Sequence, residues 1–180
     1  MIRAAAAMLA LLLPVAGMAQ SVAEPEDYET EHYRGPVPVT LSGATVVDAS
    51  AAFALWKTGR VAFIDVLPRA PKPDNLPEGT IWREQPRDSI QGAIWLPNVG
   101  YGKLAEVTEK YFKDGLNSAT GGDMSNPVVF FCLSECWMSW NAAKRALEYG
   151  HERVFWFPEG TDGWTFEDYP TAKLEPVEGF

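Results

Sequence analysis

Two short runs of unbroken apolar residues constrain this chain more than anything else in it. Val61, Ala62, Phe63 and Ile64 stand together before Asp65, and Val128, Val129, Phe130 and Phe131 stand together before Cys132. A strand with one wet face alternates apolar and polar side chains, so a run without alternation has to be covered on both sides. That is the pattern of a parallel strand inside an α/β sheet. Helix-forming segments fall between these runs. Residues 51–58 carry Ala52, Phe53, Leu55 and Trp56, with Ser50 placed to cap the helix and Gly59 to end it. Residues 104–112 read as a second helix and 139–149 as a third, in which Ala142, Ala143, Ala146 and Leu147 are available to pack and Gly150 is the stop. Residues 92–97 and 154–157 read as further short strands, and Gly121-Gly122 as a turn. Strands alternating with helices predict a central parallel sheet with helices on both faces. Residues 67–91 hold Pro68, Pro71, Pro73, Pro77 and Pro86, so they read as an excursion through which neither a helix nor an internal strand runs. A loop of that length is more often functional than idle.

The first 19 residues read as an export signal, with Arg3 as the positive end, an apolar run over 4–16 and the small-x-small site Gly17-Met18-Ala19 before Gln20. The apolar run is shorter than the roughly 20 residues a spanning helix needs, which predicts no membrane insertion. A Gram-negative periplasm is the expected location. The 161 residues that remain suit one domain, 44–180, preceded by an arm over 20–43. Glu24, Glu26, Asp27, Glu29 and Glu31 make that arm acidic, and its prolines leave no sustained period, so it reads as extended or only partly ordered. The formal charge is −9 with Arg3 and therefore −10 without it, which disfavours nucleic acid as a partner.

Only two cysteines are present, Cys132 and Cys136. A strand that ends in Cys132, followed by a loop and a helix, places its sulfur where open parallel sheets bind ligands, beyond the carboxyl ends of the strands. Loop N–H groups and the positive end of the helix would there surround the sulfur and favour the thiolate, which is the reactive form. The plainer reading of Cys132 is a buried, inert thiol at a strand end, and of Cys136 a buried thiol beside Trp137. Cysteines four apart are close enough to bond only if their Cα separation and Cβ directions permit, which spacing does not decide.

The run from Val128 to Cys132, the loop after it, Asn141-Ala142-Ala143-Lys144-Arg145-Ala146-Leu147, Gly150, Val154 and Phe157-Pro158-Glu159-Gly160 through Trp164 resemble the rhodanese signature. Asp65 after its strand and Gly92-Ala93-Ile94-Trp95-Leu96-Pro97 are similar to two further landmarks of that family. The resemblance covers most of 44–165 and implies a single rhodanese-like α/β domain, with catalysis by Cys132 through a persulfide. Cys132, Leu133, Ser134, Glu135, Cys136, Trp137, Met138, Ser139 and Trp140, with the lead-in Tyr33-Arg34-Gly35-Pro36-Val37-Pro38, look closer still to the periplasmic CXXCW-motif proteins associated with pyrroloquinoline quinone (PQQ)-dependent catabolism. Three residues separate the cysteines here, one more than that name states. The resemblance implies a setting in PQQ-dependent alcohol oxidation, no cofactor on this chain itself, and a PQQ-dependent dehydrogenase or c-type cytochrome as partner.

The loop departs from the sulfurtransferase pattern in being one residue longer and in carrying Trp137 and Met138 where an oxyanion-holding arginine is usual. Glu135 adds a carboxylate to what would otherwise be an anion cradle, which disfavours phosphate and thiosulfate. The expected chemistry is attack by Cys132, with Cys136 resolving the intermediate; conventional sulfur transfer and a non-catalytic docking module are the alternatives. Trp137 and Trp140 read first as core and second as an aromatic wall for a planar ligand or a docking partner. Arg69, Lys72, Arg83 and Arg87 read as solvated residues that also stand as candidates for the missing positive charge. Asp65 is expected to tie down loop N–H groups in support of the site. His32 and His151 have no second ligand at metal-site spacing, so no metal site is predicted.

Overall fold

The structure is a computed structural model that describes residues 22–69, 73–81 and 86–179. The proposed export signal lies outside them. Five parallel strands form the central sheet: β1 (Thr45–Val46), β2 (Ala62–Asp65), β4 (Ile94–Trp95), β5 (Val128–Phe131) and β6 (Val154–Trp156), in the order β1-β6-β5-β2-β4. The two apolar runs are neighbours at its centre. Every residue of β5 is buried, as an unbroken apolar strand requires.

Side-chain alternation divides the core in two. Phe63, Val129 and Phe131 face a cluster with Ala52 of α1 (Ala49–Lys57) and Trp164 of α4 (Gly160–Phe166). Ile64, Val128, Phe130 and Trp156 face the opposite cluster, with Phe112 and Leu116 of α2 (Glu106–Thr120) and Trp140, Ala142, Ala143 and Ala146 of α3 (Trp137–Glu148). Helices therefore cover both faces of the parallel sheet, as the strand pattern demands.

Several boundaries differ from the sequence expectation for physical reasons. Asp48, not Ser50, caps α1, accepting from Ala51 N–H at 2.8 Å. Val47 N–H is drawn to the Trp156 carbonyl at the sheet edge, so the chain turns at Asp48 and a carboxylate meets the helix end. Helix α2 runs eight residues beyond Phe112, burying Leu116 and ending where Gly121 adopts φ 65°. Helix α3 begins two residues before Ser139, since the first N–H, that of Trp137, is satisfied by the Tyr33 carbonyl of the arm at 3.0 Å. The glycine-rich turn before Trp164 is the short helix α4.

The proline-rich excursion ends in a strand of its own, outside the central sheet and not internal to it. Directly after Pro86, β3 (Arg87–Ile90) pairs antiparallel with β7 (Thr171–Leu174) in a separate two-stranded sheet. A two-stranded ladder tolerates a neighbouring proline that an internal strand would not. Among the described residues no helix is long and apolar enough to cross a membrane.

Candidate functional site

The order of the strands fixes where the chemistry sits. The chain passes from β2 outward to β4, then returns through β5 on the other side of β2, so the direction of winding switches between β2 and β5. Such a switch leaves a crevice beyond the carboxyl ends of the two strands. Asp65 pairs in register with Phe131, so Asp65 and Cys132 arrive there together.

Asp65 is fully buried and holds the floor of the crevice. It accepts from Leu67 N–H at 2.9 Å, Arg87 Nε at 2.8 Å and the Ser89 hydroxyl at 2.5 Å. Burial pushes its carboxyl up, and the Arg87 charge, the Ser89 hydroxyl and the Leu67 N–H oppose that rise. This is the tying role expected of Asp65. Arg87, expected to be solvated, is instead half of this buried pair, with its side chain only 11% exposed. It also reaches the Thr161 hydroxyl at 3.1 Å and the Cys132 carbonyl at 3.4 Å. Lys72 and Arg83 lie outside the described residues, and Arg69 donates its N–H to Asn98 at 3.2 Å.

The Cys132 carbonyl is fixed further by Thr161, whose N–H donates at 2.9 Å and whose hydroxyl donates at 3.2 Å. Gly160 makes that approach possible. It has φ 55°, and a Cβ there would fall 2.5 Å from the Cys132 carbonyl oxygen. Asp162, in the first turn of α4, accepts Ser134 N–H at 2.9 Å and so spends a loop donor on a carboxylate of the protein itself. The carboxylate that closes the loop is thus Asp162, not Glu135. Glu135 lies exposed at φ 51° and engages through its carbonyl, which accepts from Gly35 N–H at 3.0 Å.

The two sulfurs differ in a way the sequence does not show. Cys132 is 0% exposed, and its S–H has three acceptors in reach: the Leu133 carbonyl at 3.7 Å, the Cys136 carbonyl at 3.5 Å and the Cys136 sulfur. Burial pushes this thiol well up, helped by its hydrogen bond to Cys136 and repulsion from it, while the Ser139 hydroxyl and N–H oppose. Cys136 is the N-cap residue of α3 and is 2% exposed. The S–H of Cys132 draws its thiol down, against burial; the N–H groups of Met138 and Leu133 and the charge of Arg34 add to the effect. The loop and helix-end donors expected at the Cys132 sulfur are divided between the two: the Ser139 N–H and hydroxyl act on Cys132, the Met138 and Leu133 N–H groups on Cys136. Both thiols are free in the structure.

The rest of the loop packs around this pair. Ser139 is buried, donates to the Cys136 carbonyl at 3.1 Å and accepts from Trp156 Nε1 at 3.0 Å. Met138 is buried in the core, and Leu133 and Ser134 are partly covered. Trp137 and Trp140 meet edge to face at 5.5 Å, and both are buried. Trp137 Nε1 donates to the Pro36 carbonyl at 3.1 Å and Trp140 Nε1 to the Thr40 carbonyl at 3.2 Å. They are core and anchor points for the arm, not an open wall.

The arm is the part of the site that sequence reasoning missed. Arg34 forms an antiparallel bridge with Cys136, and Tyr33, Gly35 and Pro36 bond the loop on either side. Asn141 exchanges two hydrogen bonds with the backbone of Glu29, at 3.1 and 2.9 Å. Arg145 stacks on the Tyr28 ring at 4.1 Å while it donates to the carbonyls of Val99, Tyr101 and Gly102. His32 is exposed, and His151, just after α3, is buried with its Nδ1 unpaired. Among the described residues no three metal-ligating side chains come together.

No protein-family model matches the sequence, and no curated protein does either. Among solved structures, the chain is similar to a polysulfide-sulfur transferase homodimer from Wolinella succinogenes, at 18% identity and a TM-score of 0.47, over 73% of this chain and 80% of that one. It is also similar to a full-length protein from Lactobacillus plantarum, at 18% identity and a TM-score of 0.45, over 72% of this chain and 88% of that one. Likenesses of this depth carry no argument about activity.

Proposed function

We propose that this chain is an exported thiol protein of rhodanese type in which Cys136 and Cys132 work as a pair, through thiol–disulfide or persulfide chemistry. The observation that carries this reading is the placement of the two sulfurs: Cys132 is sealed against the Leu133 and Cys136 carbonyls, which favour its protonated form, while Cys136 stands at the N-terminal end of α3. A thiol that donates to its neighbour favours the thiolate on that neighbour and stands ready to resolve whatever forms there. The roles are thus the reverse of the usual order along the chain: Cys136 attacks and Cys132 resolves. A four-residue spacing closes too small a ring for a disulfide to add much stability, which favours a redox use.

The periplasmic setting rests on Arg3 and the apolar run of the leader, and the PQQ-dependent setting rests on the sequence resemblance of 132–140 and 33–38. A PQQ-dependent dehydrogenase or a c-type cytochrome is the partner that setting supplies; PQQ itself would belong to the partner. Conventional sulfur transfer to Cys132 finds less support, because Arg87, the one arginine at the Cys132 backbone among the described residues, is committed to Asp65. A docking module built on Trp137 and Trp140 finds less support because both rings are covered. The test is the intact mass of protein isolated from the periplasm without reductant, before and after alkylation. Loss of two hydrogens, or gain of one sulfur, supports the reading; two free thiols, together with unimpaired growth on alcohols after Cys132→Ser, overturn it.

A further inference from the structure

Cys136 is covered, and what surrounds it says what can reach it. Cys136 is 2% exposed, behind the arm bridge at Arg34. That cover is fastened on both sides of the bridge: Tyr33 carbonyl to Trp137 N–H, Gly35 N–H to the Glu135 carbonyl, Pro36 carbonyl to Trp137 Nε1, and the Tyr33 hydroxyl to Gly102 N–H at 3.1 Å. Attack on a protein or peptide disulfide needs the partner's Cβ–S–S unit in line with the attacking sulfur. A sulfur this covered does not admit it.

The same surroundings also disfavour an anion. The Ser134 N–H is taken by Asp162, and the Leu133 and Cys136 carbonyls face Cys132. Glu135 stands exposed on the loop, with the Arg34 charge facing Cys136. A polysulfide or thiosulfonate anion would find its donors already occupied and carboxylates nearby.

We propose that the electron acceptor of this pair is a small neutral hydroperoxide, hydrogen peroxide being the simplest. This rests on the thiol-pair reading above and names its substrate class. The Cys136 thiolate attacks one peroxide oxygen, an S–O bond forms, the O–O bond breaks, and hydroxide leaves to take a proton from solvent as water. Cys132 sulfur then attacks the Cys136 sulfenic acid, the S–O bond breaks, and the Cys132 proton leaves with that oxygen as a second water. Two thiols are oxidised to one disulfide and one peroxide is reduced to two waters.

The experiment treats the reduced protein, folded and in urea, with equal concentrations of hydrogen peroxide, tetrathionate and glutathione disulfide, and follows intact mass and differential alkylation. Folding should raise the ratio of the peroxide rate to each of the other two by about tenfold or more, since thiolate fraction and nucleophilicity enter all three rates and largely cancel in the ratio, leaving access. With Cys132→Ser, peroxide should leave one oxygen on Cys136, trapped by dimedone; with Cys136→Ser no such adduct should form. A ratio unchanged by folding, faster reaction of the folded protein with tetrathionate or glutathione disulfide, or an adduct on Cys132 overturns the proposal. Ready alkylation of folded Cys136 by iodoacetamide without oxidation by peroxide sinks the peroxide inference and leaves the thiol pair standing, whereas an inert Cys136 sinks both.

Discussion

Replacing Cys132 by alanine removes the thiol whose hydrogen bond holds the Cys136 thiol down, while leaving the helix end and Arg34 in place. A hydrogen bond to a charged acceptor contributes about 1.5–3 kcal/mol, and about 1.4 kcal/mol corresponds to one pKa unit. The Cys136 midpoint should therefore rise by roughly one to two units in Cys132→Ala. Cys132→Ser keeps a donor at nearly the same place, so there the midpoint should stay near that of the unaltered protein. The assay is the rate of alkylation of Cys136 by iodoacetamide as a function of pH, read by mass spectrometry of the peptide that carries it. The midpoint is the quantity to compare, because a lower thiol pKa also lowers nucleophilicity and partly offsets the gain in thiolate. A midpoint that does not move, or falls, in Cys132→Ala would refute the reasoning, as would equal rises in the alanine and serine variants.

Three other outcomes follow from the same geometry. Gly160→Ala forces a Cβ to 2.5 Å from the Cys132 carbonyl oxygen at φ 55°, so it should destabilise the fold by about 2–4 kcal/mol and disturb Cys136 alkylation as well, checked by urea midpoints at constant slope. Arg145→Ala strips three carbonyls at 99–102 of their donor and the Tyr28 ring of its cation, at a cost of about 2–4 kcal/mol by the same measurement. In the reduced protein the lowered Cys136 value makes stability rise with pH from that value up to the unfolded thiol value near 8.5, and the raised Cys132 value makes it fall above that point. Denaturation across this range should show the maximum, and Cys132→Ser with Cys136→Ser together should flatten it.

Much of the frame was legible because burial leaves a mark on sequence. An apolar run such as Val128–Phe131 admits few readings, and it carries Cys132 to the strand end by itself. Asp65 was legible for the same reason, as a carboxylate closing a second such run. The ladder of β3 and β7 was not: its residues, Arg-Asp-Ser-Ile and Thr-Ala-Lys-Leu, are mostly polar, and a proline precedes the first. Arg87 looked solvated because its partner Asp65 is 22 positions away and meets it only through the fold. The cover over the cysteines was hidden more deeply. Tyr33 caps α3 through a backbone carbonyl, an interaction that leaves no side-chain signature, about a hundred positions before the helix it starts. Asp162 sits 28 positions from the Ser134 N–H it takes, in what reads as a glycine-rich turn. The direction of the hydrogen bond between the sulfurs is not written in a four-residue spacing at all; it follows from which sulfur lies at the helix cap and which is sealed against carbonyls.

The central claim is that Cys136 is the reactive thiolate and Cys132 its donor. It is tested most directly by treating the reduced, folded protein with a limiting amount of iodoacetamide at mildly acidic pH and mapping which cysteine carries the label. The account predicts label on Cys136, with Cys132 unlabelled until the chain is unfolded. Label first on Cys132, or equal label on both, would contradict it.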